Sequence, residues 1–370
     1  MIITVNIAKI ANHMRRFLLL YVFLAIMSAL PLGYHYAYYF KSHKELVKNA
    51  IVCLAIGTLY PSMIQLRAGK IGSELRLKLK ETIVTLFIIF VIIPAVAMFL
   101  ANHIENRVIG IGYVAANAVP ASSASVAYVM LAEGNIELAT LLVILSIFIA
   151  LIAAPVYVDL YAKSVHVNLP IVTLAKSVTM ALVVPLVLGQ VTRYYLVVRK
   201  ARRMMKDPRV KLDCKNVMIK DSGMGDMSTK NEMIIRCLEN RISARLKPIL
   251  SIWTMTFMLV LIFLLIANKA SLLISKPNLV LYILSAQIVV YAIVIISLLV
   301  ASKALNIRYE DHMAAAFIAL TKNQSVAATM TALATGPTAA IPAALIPAIQ
   351  PAVAILYISA SSIIKKALKD

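Results

Sequence analysis

Residues 312–336 read HMAAAFIALTKNQSVAATMTALATG, and the five at the centre, Thr321, Lys322, Asn323, Gln324 and Ser325, decide how the chain is to be read. The stretch as a whole is apolar enough, and long enough, to cross a ~30 Å hydrocarbon core as a helix. Five consecutive polar residues cover every face of a helix. Some would meet lipid unless the segment is unwound or lines a cavity. A lysine at mid-membrane costs roughly 2.5 to 3.5 kcal/mol even on the lenient insertion scale. All 16 carboxylates fall in connections or near the ends of apolar runs, so none is placed to neutralise it at depth. Such an intramembrane charge marks a substrate or ion path. The alternative is a lysine bonded to the carbonyl ends of a broken helix, stabilising the break and nothing more. Half-helix N-termini present unpaired N–H groups and partial positive charge; together with Lys322 they suit an anion.

A second stretch, residues 109–134, reads IGIGYVAANAVPASSASVAYVMLAEG. Asn117, Pro120, Ser122, Ser123 and Ser125 lie near its middle. Proline removes a backbone donor and clashes with the preceding turn, while small hydroxylated residues satisfy the carbonyls that are freed. A break over 118–124 is expected, with close packing of a kinked, Ser-rich helix as the alternative.

Working outward, apolar runs give spans near 17–40, 49–66, 81–102, 109–133, 136–162, 169–198, 248–268, 278–302, 309–336 and 339–364. Hydrophobic residues make up 61% of the 370 and charged residues 14%, which excludes an ordinary soluble domain. The apolar stretch after Arg15 and Arg16 continues past Pro31 without a small-residue cleavage pattern, so it is read as the first span. The fold class expected is an all-α polytopic membrane protein of ten transmembrane helices. Residues 1–198 hold spans one to six, 199–247 form a basic loop, and 248–370 hold spans seven to ten.

The two halves resemble copies. SVAYVM at 125–130 and SVAATM at 325–330 share four of six positions, each in the fourth span of its half, and a glycine ends each span, Gly134 and Gly336. Five spans per half make the second copy enter the membrane inverted. The net charge of +21 does not indicate nucleic acid, because the basic residues sit in the connections, often without aromatic interleaving. Counted by side, 28 lie with the N-terminus, 67–80, 199–247 and the C-terminus, against 8 opposite. That bias places both termini in the cytoplasm. The 199–247 segment carries 14 basic and 6 acidic residues, and is read as a solvated tether near anionic lipid. Cys53, Cys214 and Cys237 have no metal-ligand spacing, and no cofactor or metal is expected.

At the two polar spans the chain resembles the bile acid:sodium symporter superfamily, which includes the arsenite efflux permeases. Those symporters carry a pattern like C-P-G-G-x-x-S-N in the fourth span and, eight residues on, a Gly-Asn or Gly-Asp pair. Here VPASSASV keeps Pro120 and Ser125, and EGNIELA keeps Gly134 and Asn135. In the ninth span the symporters show E-x-x-x-Q-N, of which KNQSVAA keeps Asn323 and a neighbouring amide. The resemblance implies two inverted five-helix repeats, a panel domain of spans 1, 2, 6 and 7, a core domain of spans 3–5 and 8–10, and crossing broken helices 4 and 9. It also implies organic-anion transport, usually with sodium.

Departures from the pattern bear on the cation. The positions of the sodium ligands align with Val126, Ala139, Val143 and either Ala319 or Ile318, none of which offers an oxygen. Lys322 stands close to where the cation would have been. The arsenite branch lacks its thiol, since Cys53 is in the second span. The expected function is a secondary transporter of a small organic anion, sodium-independent, with Lys322 in place of the cation. Proton coupling, uniport and exchange all remain open. The substrate-binding residues expected are Asn117, Ser122, Ser123, Ser125, Thr321, Lys322, Asn323, Gln324 and Gln350. The partners are that anion and the lipid bilayer. A cation/proton antiporter of related fold and a non-transporting membrane sensor are the alternatives. An enzyme is not expected, because no nucleophile is paired with a base at depth.

Overall fold

The structure, a computed structural model, describes residues 2–65, 77–122, 125–205 and 227–368. It is helical throughout. In chain order the main helices are α1 (Ile2–Arg16), α2 (Leu18–His35), α3 (Lys44–Gln65) and α4 (Leu79–Ala101). Then come α5 (Arg107–Ala118), α6 (Ser125–Leu131), α7 (Ile136–Ser164) and α8 (Ile171–Met204). The remainder are α9 (Met227–Asn268), α10 (Pro277–Ala304), α11 (Tyr309–Leu320), α12 (Gln324–Ala334) and α13 (Ile341–Ser359). Eight helical segments among the described residues are long and apolar enough to cross a membrane. Many of their large apolar side chains, such as Phe23, Ile83, Phe148, Val187 and Ile296, point outward, as lipid requires of a membrane-spanning surface.

The helices sort into two groups by packing. α2, α3, α8 and α9 lie against one another, while α4, α5, α7, α10, α11 and α13 form a second set; the two meet where α12 packs on α3, α8 and α5, where α7 packs on α8, and where α13 packs on α9. Small residues allow the closest approaches. A Cβ on Gly112 of α5 would lie 1.8 Å from the Ala339 carbonyl oxygen, so only glycine lets the chain entering α13 pass there.

Four features differ from the sequence expectation. The first span, expected over 17–40, stops at His35, and a separate short helix follows at Ala37–Ser42. The span expected to begin at 248 is the second half of α9, which begins at Met227. Ile234, Leu238 and Ile242 recur every four residues on α9 and bury against Val197 and Ala201 at the end of α8. The charged residues of this stretch had read as a connection, but its backbone is helical.

The two glycines serve different ends. Gly336 has φ +92° with open space around it, so it terminates α12 by adopting a left-handed backbone. After α6 it is Glu133 that takes the positive φ, while a Cβ on Gly134 would meet Val129 at 2.9 Å and Met313 at 3.1 Å. Finally, α4 contains a π-helical turn at Ile88–Ile92 that the apolar run did not signal.

Candidate functional site

The helical stretch begun by α5 stops at Ala118 and resumes at Ser125, and the one begun by α11 stops at Leu320 and resumes at Gln324. α5 has 12 residues, which at 1.5 Å each is about 18 Å, so the interruption falls near the middle of a ~30 Å core. The two interruptions meet. Ala121 and Lys322 form an antiparallel bridge, the only one among the described residues. The Ser122 N–H donates to the Thr321 carbonyl at 2.8 Å and the Asn323 N–H donates to the Pro120 carbonyl at 2.9 Å. Each break thus supplies hydrogen-bond partners for the other, which is how unwound backbone is tolerated away from water.

Side chains complete the accounting. Ser146 of α7 accepts from the Ala121 N–H at 3.1 Å and donates to the Val143 carbonyl at 2.7 Å. The hydroxyls of Ser125 and Thr321 hydrogen-bond each other across the crossing, and Thr321 also donates to the Phe317 carbonyl at 2.6 Å. Gln324 donates to the Ala116 carbonyl at 3.2 Å, while its buried Oε1 has no hydrogen-bond partner among the described residues. Ser122 and Asn323 are half-buried, the least enclosed of the described crossing residues.

Lys322 is 3% exposed. Its ammonium donates to the Ile89 carbonyl of α4 at 3.4 Å and lies 5.5 Å from the centroid of the Phe90 ring. No carboxylate among the described residues pairs with it. The positions read as replaced sodium ligands are apolar and inside the helix packing: Ala139, Val143, Ile318 and Ala319 are buried, and Val126 is packed at the edge of the core. No group of three or more His, Cys, Asp or Glu among the described residues is placed to hold a metal ion.

Of the expected site residues, Ser122, Ser125, Thr321, Lys322, Asn323 and Gln324 come together at the crossing. Ser123 lies outside the described residues. Asn117 sits in the last turn of α5, next to its final residue, and pairs with Gln287 of α10, each amide donating to the other at 3.1 and 3.2 Å. Gln350 stands at the kink of α13; among the described residues its buried Oε1 has no partner and no hydrogen bond ties it to the crossing. Ser146, Gln287, Tyr157 and the π-turn of α4 had been missed. Each is a lone residue inside an apolar run, and only Pro94, which cannot serve a carbonyl in the preceding turn, hinted at the last.

One end of the bundle is tied by charge. Asp311 at the start of α11 accepts from Lys78 at 2.5 Å and from the Asn135 amide at 2.7 Å. Asn135 also caps α7, accepting from the Glu137 and Leu138 N–H groups. Farther into α11, His312 is hydrogen-bonded by Ser302 and by Tyr357, both at 2.7 Å.

Paired interruptions at mid-membrane depth, with a buried cation and half-helix ends facing them, define a multi-pass membrane protein built around a central crossing. Residues 51–219 match the Sodium Bile acid symporter family. This match supports membership of the bile acid:sodium symporter superfamily, whose members are transporters. It covers under half of the chain and includes the first break but not the second. No curated protein matches the sequence.

Proposed function

We propose that the protein is a secondary transporter that carries a small organic anion across the cell membrane by alternating access, without sodium, using Lys322 as the fixed positive charge of its site. The observation that carries this reading is a lysine held at the crossing of two broken helices with no acidic partner among the described residues. A buried unpaired cation is expensive, and a substrate anion would offset that cost whenever it binds. Ser122, Ser125, Thr321, Asn323 and Gln324 supply neutral donors and acceptors around it.

Alternating access requires two bodies that move relative to each other. The division into α2, α3, α8 and α9 on one side and the crossing-bearing helices on the other supports a panel and a core. Taking each interrupted pair as one crossing, α2 through α13 make ten, in two inverted sets of five. The basic residue bias puts both termini and the 199–247 segment in the cytoplasm. In the enclosed arrangement described here Lys322 is out of reach of solvent, so substrate entry requires the two bodies to separate near Ser122 and Asn323.

The test is uptake into proteoliposomes of a labelled carboxylate ladder from acetate to benzoate, in sodium or potassium buffer. Saturable uptake of at least one carboxylate, equal in the two buffers and lost in Lys322→Ala, is expected. Uptake of none of them, with only a binding signal, would favour a sensor.

A further inference from the structure

The sequence around the Lys322 ammonium explains why a cation rests at that point of α4. Within the π-turn, the Ile93 N–H donates to the Ile88 carbonyl, five residues back. The next residue is Pro94, which has no N–H to give. The two carbonyls it would have served, four or five residues back, are those of Phe90 and Ile89. Both find side-chain donors from other helices: the Ile89 carbonyl takes Lys322, and the Phe90 carbonyl takes the hydroxyl of Tyr157 on α7. The Phe90 ring presents its face to the same ammonium. π-turns of this kind mark functional positions in helices.

We propose that the π-turn of α4 is a cradle for a primary ammonium, formed by the Ile89 carbonyl and the Phe90 ring, opened by Pro94 and kept to one vacancy by Tyr157. Lys322 is its resident ligand. At 3.4 Å the contact is longer than the 2.7–2.9 Å of a strong charge-assisted bond, and it uses one of three N–H donors. The cradle therefore orients the ammonium without saturating it. If Lys322 meets a substrate anion, which rests on the transport reading above, the remaining donors are the ones it offers. Tyr157 and Pro94 are then positioning residues: among the described residues neither hydrogen-bonds to the crossing backbone, and both act through the π-turn.

Removing the side chain beyond Cβ should leave a site shaped for n-propylammonium, and full-length Lys322→Ala in detergent tests this. Propylammonium should raise its melting temperature saturably and slow amide exchange over 86–95, while n-propanol, equal in size but uncharged, should not. Adding Phe90→Leu should weaken the propylammonium effect about 2- to 30-fold, the worth of a cation–π contact. Adding Pro94→Ala, which restores an N–H for the carbonyls, should weaken it at least as much. An equal response to propanol and propylammonium, or an effect unchanged by Phe90→Leu, overturns the cradle. No response at all from a folded Lys322→Ala protein overturns it too. These arms need no substrate, so a failed uptake assay leaves them standing; conversely, restored carboxylate uptake on adding propylammonium would join the two readings.

Discussion

Lys322 is a buried cation, and its substitution separates charge from fold. Lys322→Ala removes a costly buried cation and one weak hydrogen bond. It should leave the protein folded, with a melting temperature within a few degrees of wild type, and abolish anion uptake. Should uptake survive while stability falls, the lysine serves only the break. Lys322→Arg keeps a charge that stays protonated at any accessible pH, on a planar and larger group. If the lysine is a fixed charge, this variant should retain partial, pH-independent uptake; if it cycles a proton, the variant should bind anion without accumulating it. Ser146 is the complementary case. Its hydroxyl is the acceptor for the buried Ala121 N–H. Ser146→Ala should cost roughly 1–3 kcal/mol of stability, read as a lower denaturation midpoint, because that donor is left unpaired.

At the scale of elements, each broken helix is stable only because the other breaks beside it. Pro120 removes a backbone donor from the first crossing, and its carbonyl accepts from the Asn323 N–H. The second break contains no proline; its polar run Thr321–Ser325 and the bridge to Ala121 hold it open. The amphipathic first half of α9 is a separate device. Its stripe of Ile234, Leu238 and Ile242 buries against the end of α8, far along the helix from the crossing. Leu238→Ala should cost roughly 2–5 kcal/mol locally. Hydrogen exchange should accelerate in 234–246 and stay unchanged in α11 and α12; acceleration in both would mean that this hairpin and the crossing unfold as one unit.

For the whole molecule, two expectations concern direction and coupling. With no oxygen-bearing side chain at Val126, Ala139, Val143, Ile318 or Ala319, replacing sodium by potassium should change anion uptake less than twofold. A steep sodium requirement would mean that carbonyls and amides elsewhere in the crossing build a cation site. Orientation is tested in intact cells with Cys53→Ser/Cys237→Ser, which leaves Cys214 as the single thiol. A membrane-impermeant maleimide should label Cys214 only after permeabilisation; labelling of intact cells would invert the topology.

Membrane class and the positions of both breaks were legible in the sequence. Hydrocarbon imposes local rules: apolar length sets a span, and a polar run that covers every face cannot meet lipid as regular helix, whereas a lone proline such as Pro155 or Pro185 stays inside one. The same rules placed Ser122, Ser125, Thr321, Asn323 and Gln324 near one another, through two separate interruptions at similar depth. What tertiary structure alone decided is which groups meet across helices. Asn117 faces Gln287 rather than the crossing, Ser146 supports Ala121, and α4 turns a carbonyl toward Lys322. Those partners are single residues in apolar runs, and their roles depend on helix rotation, which sequence periodicity does not report when a helix is apolar on every side. The start of α9 was misread for the opposite reason: its apolar stripe is one-sided and its charges dominate the count, so only the burial against α8 reveals a helix there.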